Sequence, residues 1–316
     1  MHTFAIDMPV RFRGITRREG VLLHGEAGWG EFSPFLEYDD AESVPWLACA
    51  LEAAHDGWPA PVRDVVPVNA TVPAVGPEQA ARIVRGSGCT TAKVKVAERG
   101  QTLADDLARV EAVRDALGPD GRLRVDANGG WGVDEAVAAV AALDAVGSLE
   151  YVEQPCAEVE ELAAVRRRVD VRVAADESIR RAADPYRVRD LEAADVAVLK
   201  VQPLGGVRAC LRVAEDIGLP VVVSSAVESS VGLAAGVALA AALPELPFAC
   251  GLGTTSLLSG DVTTEPLVAV AGHLPVRAVH VDDDALAAVA ADPGTDAAWR
   301  DRLARVDALR QAGARR

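Results

Sequence analysis

A chain of 316 residues, half of them apolar and a quarter charged, is long enough to bury a large core and has the make-up of a soluble globular protein. Its formal net charge of −15 excludes the basic footprint that nucleic acid or an anionic membrane surface requires, so neither is expected as a partner. Five scattered cysteines (Cys49, Cys89, Cys156, Cys210, Cys250) without a CxxC pair suit small core residues in a reducing cytoplasm.

The amino-terminal "MHTFAIDMPVRFRG" lacks the charged-then-apolar layout of a secretion signal. Next comes "VLLHGEAGWGEFSPF", two strand-like pieces with glycine turns, and then a helix around "AESVPWLACALEAAHDG". From about residue 66 one unit recurs: a valine-rich strand, then a segment of helical period. "VPVNATV" precedes "PEQAARIVRGS", and "TAKVKV" precedes "TLADDLARVEAVRDAL". "RLRVDANGGW", "LEYVEQP", "VRVAADES", "VAVLKVQP" and "PVVVSSAVESS" follow with their helices (the fifth being "ADPYRVRDLEA"), and "PFACGLGTT" comes last. Eight such strands predict a closed TIM-like barrel, modified to (β/α)7β because the final unit is short. An open doubly wound sheet is the alternative, but no GxGxxG follows the first strand.

The apolar run from Val231 to Leu243 is closed by Pro244, too short to span a bilayer, and predicts a buried helix. The tail ends in an amphipathic helix, "AAWRDRLARVDALRQAG". The expected division is a small α+β capping domain over residues 1–63, a barrel over 64–264, and a segment over 265–316 that returns to the cap. The sequence carries no signal of oligomeric state.

In a parallel barrel both faces of the sheet are covered, so the alternating lysines of "TAKVKV" cannot simply face water. Barrel chemistry sits at the carboxyl ends of the strands. There the second strand carries Lys93 and Lys95, the third ends in Asp126, the fourth in Glu153, the fifth in Asp176 and the sixth in Lys200. Neighbouring strands bring the three carboxylates to one point, where they repel and raise each other's pKa. A hard divalent cation with oxygen ligands resolves that conflict, and the lack of thiolate or imidazole there speaks against zinc. Lys95 and Lys200 flank the point from opposite sides, with Lys93 placed to lower the pKa of Lys95 and make it a usable base. Each residue alone has an ordinary reading: a strand-end lysine snorkels, and an aspartate after a strand caps the next helix. Five in consecutive strands, ordered base, acid, acid, acid, base, argue for a site.

The segments "KVKV", "RVDANGGW", "YVEQP", "AADES", "VLKVQPLGG" and "GWGEFSPF" resemble the enolase superfamily, muconate-lactonizing-enzyme subgroup, over nearly the whole chain. The resemblance implies metal-assisted removal of a proton next to a carboxylate, on a small-molecule carboxylate substrate. It implies Asp126, Glu153 and Asp176 as ligands of Mg2+ (or Mn2+ as a substitute), Lys95 as base, and Lys200 as opposite acid/base or electrostatic partner. No histidine lies at these strand ends, a departure from the mandelate racemase subgroup with its His–Asp dyad.

"RGITRREG", "SSAVESSVG" and "GLGTT" resemble the dehydratase branch, which converts 2-succinyl-6-hydroxy-2,4-cyclohexadiene-1-carboxylate to o-succinylbenzoate in menaquinone biosynthesis. "ACGLGT" lacks the DxD with which dipeptide epimerases grip an ammonium group. Racemisation of N-succinylamino acids on the same scaffold, or a non-catalytic binding barrel, are the alternatives. Lys93, Asn128, Ser225 and Gly251 are candidate substrate contacts. Asn128 has helix capping as its other reading, and so do Ser225, Ser229 and Ser230. Arg124 and Glu177 read as structural ion-pair partners. Gly251 and Gly253 let backbone approach a ligand. Residues 13–16 form either a lid loop or an ordinary turn.

Overall fold

The computed structural model describes residues 1–182 and 184–313. The chain begins with a long antiparallel hairpin, β1 (His2–Phe12) and β2 (Ile15–His24), extended by β3 (Trp29–Phe32). Sequence reading had not marked β1 as a strand, although Phe4, Ile6 and Met8 alternate towards the core. Phe12 pairs with Ile15, and the two residues between them, Arg13 and Gly14, both have positive φ (51° and 79°). That is the geometry of a two-residue hairpin turn. Helix α1 (Val44–Leu51) packs on β3, where a side chain at Gly30 would collide with the Ala50 carbonyl. It continues through a π-helical turn, Glu52–Asp56.

Seven parallel strands follow: β5 (Ala70–Val72), after a short β4 (Val65–Pro67), then β6 (Thr91–Lys95), β7 (Arg122–Asp126), β8 (Leu149–Glu153), β9 (Val173–Ala175), β10 (Val196–Leu199) and β11 (Val221–Val223). They pair in chain order. An eighth segment closes the ring by parallel bridges, Ser224 to Gly251 on one side and Val68 to Cys250 on the other. The helices between them are α2 (Pro77–Ser87), α3 (Leu103–Leu117), α4 (Val133–Gly147), α5 (Val159–Arg166), the short turns α6 (Glu177–Arg180) and α7 (Arg187–Asp190), α8 (Val207–Ile217) and α9 (Ser230–Ala242). Only a 3-10 turn, Thr255–Leu257, follows the eighth strand, so the architecture is the expected (β/α)7β. Two details differ from the sequence reading. The first strand is interrupted between β4 and β5, and among the described residues of "ADPYRVRDLEA" only the turn Arg187–Asp190 is helical, after a separate turn at Glu177–Arg180.

Alternation sorts the side chains into two cores. Outward residues such as Val94, Val125 and Val152 pack against the helices. Inward residues Tyr151, Ala174, Val196, Val198, Val222 and Phe248 fill the barrel, and the Arg124 guanidinium lies 4.7 Å from the Tyr151 ring centre. Arg124 also pairs with Glu150 at 2.5 Å, the structural role expected of it. All five cysteines are free, four of them buried. The apolar run expected to be a buried helix is α9, and no helix among the described residues is long and apolar enough to cross a membrane.

Beyond the barrel, β12 (His273–Pro275) pairs with β4. After α10 (Asp283–Ala288), α11 (Pro293–Gly313) packs on α1, β1 and β2. Two carboxylates of the amino-terminal region reach into the barrel. Glu52 accepts the Val207 and Arg208 amides at 2.7 and 3.2 Å, filling the amino terminus of α8. Glu31 accepts the Gly232 amide at 3.0 Å and the Ser229 hydroxyl at 2.5 Å at the start of α9. Helix amino termini favour negative charge; the Glu31 contact holds the sheet of β1–β3, and the Glu52 contact the end of α1, against the barrel.

Candidate active site

Strand register assembles the charged residues. Lys95 on β6 lies opposite Asp126 on β7, and Asp126 opposite Glu153 on β8. Asp176 follows the end of β9, and Lys200 follows the end of β10, four strand positions from β6. All six side chains, counting Lys93, are buried. Lys93 and Lys95 thus point into the barrel mouth, as the two-residue period of a doubly covered strand requires.

Lys93 donates to both Glu153 oxygens at 2.8 Å and lies 3.3 Å from Asp126. Lys95 Nζ donates to Asp126 Oδ2 at 2.6 Å and to Asn128 Oδ1, and sits 5.3 Å from the ring centre of Phe12 at the hairpin tip. Lys200 Nζ donates to Asp176 Oδ2 at 2.6 Å. Arg180 donates to Asp176 Oδ1 at 2.8 Å and bonds Glu177 and the Tyr38 hydroxyl. Four cations therefore oppose four carboxylates in a neutral cluster.

Burial opposes the charge on Asp126, yet Lys95 and Lys93 hold its carboxyl far below the usual carboxylate range. Burial likewise opposes Asp176, which Arg180 and Lys200 hold low. Glu153 goes the other way: burial, then repulsion from Asp126, push it up to about 7 against the pull of Lys93. Burial lowers the pKa of Lys200, and Arg180 adds to the effect while Asp176 opposes it. Lys93 is raised despite burial, by Glu153 and Asp126.

Among the described residues no three His, Cys, Asp or Glu side chains stand gathered as a ready metal cage, since each carboxylate is turned onto its own cation. The donor set nevertheless fits a hard divalent ion. Three buried oxygen acids stand on consecutive strands, and repulsion from Asp126 and Asp176 contributes to the raised pKa of Glu153.

The cluster floors a cavity of about 30 Å3 lined by Phe12, Arg13, Phe35, Thr71, Ser225, Val227 and Thr254, among others. That is room for about one water, whereas small-molecule pockets typically run to roughly 300 Å3 or more. In this arrangement the hairpin tip and the paired side chains fill the rest of the mouth. A larger concavity, about 1070 Å3, opens around Arg172, Pro220 and Phe248 and contains none of the strand-end lysines.

The weaker candidates divide. Asn128 contacts Lys95 and donates to Glu177 at 3.2 Å; Gly132, not Asn128, precedes α4. Asp176 precedes α6 without a side-chain capping bond. Glu177 pairs with Arg180 as expected. Ser225 lines the cavity and shares a 2.6 Å hydrogen bond with Thr254. Ser229 caps α9, accepting from the Val231 amide, and Ser230 donates to Asp261. Gly251 stands against Ser224, where a Cβ would come within 2.7 Å of the hydroxyl. Residues 13–16 hold an ordinary turn, but one whose Arg13 and Phe12 line the cavity.

Sequence reasoning missed Arg180, Tyr38, Phe12 and Phe35. Arg180 had a signal, standing four residues after Asp176 and so on the same face of a helical turn. The others depend on how the hairpin and its following loop dock.

A β-sheet cap over a (β/α)7β barrel, with acids on the middle strands and lysines on the flanking ones, defines an enolase-like enzyme. The family model described as enolase C-terminal domain-like matches residues 77–285, and the one described as enolase N-terminal domain-like matches 3–54. The chain is 71% identical to an o-succinylbenzoate synthase of Thermobifida fusca over 301 residues, 95% of this chain and 94% of the relative. It is 57% identical to that of Mycolicibacterium smegmatis over 310 residues, 98% and 95% of the two chains. Among solved structures it superposes on muconate lactonizing enzyme from Pseudomonas fluorescens (TM-score 0.77, 22% identity, 92% and 98% coverage). The Bacillus subtilis L-Ala-D/L-Glu epimerase gives 0.74 at 24% identity, covering 86% and 94%. The chain belongs to the enolase superfamily and, within it, to the o-succinylbenzoate synthase family. Membership implies a divalent metal.

Proposed function

We propose that this protein is a Mg2+-dependent, cytoplasmic lyase that dehydrates 2-succinyl-6-hydroxy-2,4-cyclohexadiene-1-carboxylate to o-succinylbenzoate in menaquinone biosynthesis. The observation that carries the reading is the pair of buried lysines, Lys95 and Lys200, on opposite sides of three strand-end carboxylates. The relatives' shared name supplies the substrate.

Asp126, Glu153 and Asp176 would hold Mg2+, or Mn2+ as a substitute, which when bound neutralises the substrate carboxylate and eases build-up of carbanion charge beside it. Lys95 takes the proton from the ring carbon alpha to the carboxylate, and the C–H electrons move into that carboxylate. Those electrons return to form the ring double bond as the neighbouring C–O bond breaks. Protonated Lys95 gives its proton to the departing hydroxide, releasing water on the same face and leaving an aromatic ring. Lys200 keeps its positive charge on the opposite face and stabilises the electron-rich ring. Asn128, bonded to Lys95, orients the amine. Lys93, Ser225 and Gly251, all of which line the cavity, are proposed substrate contacts.

The unit over 1–63 together with 265–316 is proposed as the cap and 64–264 as the catalytic barrel, a reading supported by the packing of α11 on α1 and β1. A second reading, racemisation of N-succinylamino acids, draws on the same lysine pair, since that reaction needs a base on each face. A substrate panel followed for water loss and for solvent deuterium exchange separates the two. Failure to bind Mg2+ would favour a barrel that binds without catalysis.

A further inference from the structure

One wall of the cavity is a barrel turn whose backbone cannot hold its shape unaided. Ser225, Ala226 and Val227 all line the cavity, and Val227 has φ +63°, a left-handed conformation that a β-branched side chain rarely adopts. Such strain persists only where surrounding groups fix it. Inside the barrel the turn is braced by the Ser225 hydroxyl, which accepts the Val227 amide at 2.9 Å, and by Glu228 Oε1, which accepts the Ala226 amide at 2.8 Å.

The remaining brace comes from the cap. Arg18 on β2 is only 3% exposed. Its Nε donates to the Val227 carbonyl at 2.9 Å, while one terminal nitrogen donates to the Ser33 carbonyl at 2.6 Å and to the Ser33 hydroxyl at 2.9 Å. Ser33 in turn donates to Glu31, the carboxylate that sits at the start of α9. The Arg18 guanidinium also lies 4.8 Å from the ring centre of Phe35, another cavity residue. A planar, forked guanidinium meets these partners together, which an ammonium group cannot do with the same geometry.

We propose that Arg18 is a positioning residue: from the cap it locks the strained Val227 turn and so sets the substrate-facing wall of the barrel. It touches neither the strand-end acids nor the lysines through any hydrogen bond described for it. The proposal deepens the dehydratase reading, and its test includes a measurement that does not depend on that reading.

The test compares wild type, Arg18→Met, Arg18→Lys and Val227→Gly, with the Arg18→Met/Val227→Gly double variant. Hydrogen–deuterium exchange of peptides covering residues 224–230, in the Mg2+-loaded protein without substrate, reads the turn directly. Arg18→Met should speed exchange there by about tenfold or more while leaving peptides of β6–β8 unchanged, and Arg18→Lys should restore part of the protection. With the cyclohexadiene substrate, Arg18→Met should raise KM by roughly tenfold or more with a smaller change in kcat and an unaltered pH profile. Glycine adopts positive φ freely, so the KM cost of Arg18→Met should shrink at least about threefold in the Val227→Gly background. Wild-type exchange at 224–230 in Arg18→Met, or costs that simply multiply in the double variant, would overturn the proposal. If Arg18→Met does not fold, exchange in Arg18→Lys equal to wild type, with unchanged KM, overturns it as well. Absence of wild-type dehydration would count against the dehydratase reading alone, since the exchange measurement still decides the role of Arg18.

Discussion

At the scale of residues, the proposed chemistry centres on Lys95 and its neighbours. Its Nζ is held by Asp126 and Asn128 at the cavity floor, so removing it deletes the proposed base and leaves a buried carboxylate short of a cation. Lys95→Ala should lower kcat by about 10²–10⁴-fold, the range typical of losing a general base, while circular dichroism stays that of a folded barrel. Lys200→Ala should also abolish useful dehydration, and full activity in either variant would sink the mechanism. The inward placement of Lys93 and Lys95 is legible because alternation within "TAKVKV" combines with a sheet covered on both sides, leaving only the barrel interior for them. The ion pairs that tie Lys93 to Glu153 and Lys200 to Asp176 were not legible. They depend on which rotamers satisfy charge in a dry cluster, and sequence order carries no information about that. Asn128 was equally open, since its positive φ of 45° turns it away from a capping position towards Lys95 and Glu177.

At the scale of elements, the alternation of strands and helices gave the barrel its order, but the contacts between cap and barrel were hidden. Helix α8 starts after Gly206, a residue with no side chain to cap it. At this helix a distant carboxylate, Glu52, fills the capping role. Gly206 has φ +119°, and a side chain there would strike that carboxylate. Glu52→Ala should cost about 1–2 kcal/mol, as lost helix caps do, and lower Tm by roughly 2–6 °C in a thermal melt. An unchanged Tm would show that the contact is incidental. "ADPYRVRDLEA" has helical periodicity but carries Pro185, which a helix interior does not tolerate, and among its described residues only the turn Arg187–Asp190 forms. In β1, Pro9 interrupts a run that otherwise alternates, and pairing with β2 is what extends the strand.

At the scale of the whole molecule, Glu31 couples the joining of the two regions to pH. Burial pushes its carboxyl up to about 7, against hydrogen bonds from Ser229 and Ser33 and the charge of Arg18, with Glu228 adding to the rise. A carboxyl raised from 4.5 in the unfolded chain contributes stability that is fully present below about 4.5 and lost as pH rises through about 7. At roughly 1.4 kcal/mol per unit this is up to about 3 kcal/mol across the window. Metal-free wild type should therefore lose more stability than Glu31→Gln between pH 5 and pH 8, measured by denaturant unfolding at each pH. Parallel curves for the two proteins would contradict the assignment.

Lysines, carboxylates and the relatives' shared name converge on one reaction, which ultraviolet detection of o-succinylbenzoate formed from its cyclohexadiene precursor reads out. With Mg2+ present the expected result is rapid turnover that a chelator stops and added Mg2+ or Mn2+ restores. No turnover from a folded, Mg2+-loaded protein that instead exchanges the α-proton of N-succinylamino acids would contradict the proposed substrate, and turnover unaffected by chelation would contradict the role given to Asp126, Glu153 and Asp176.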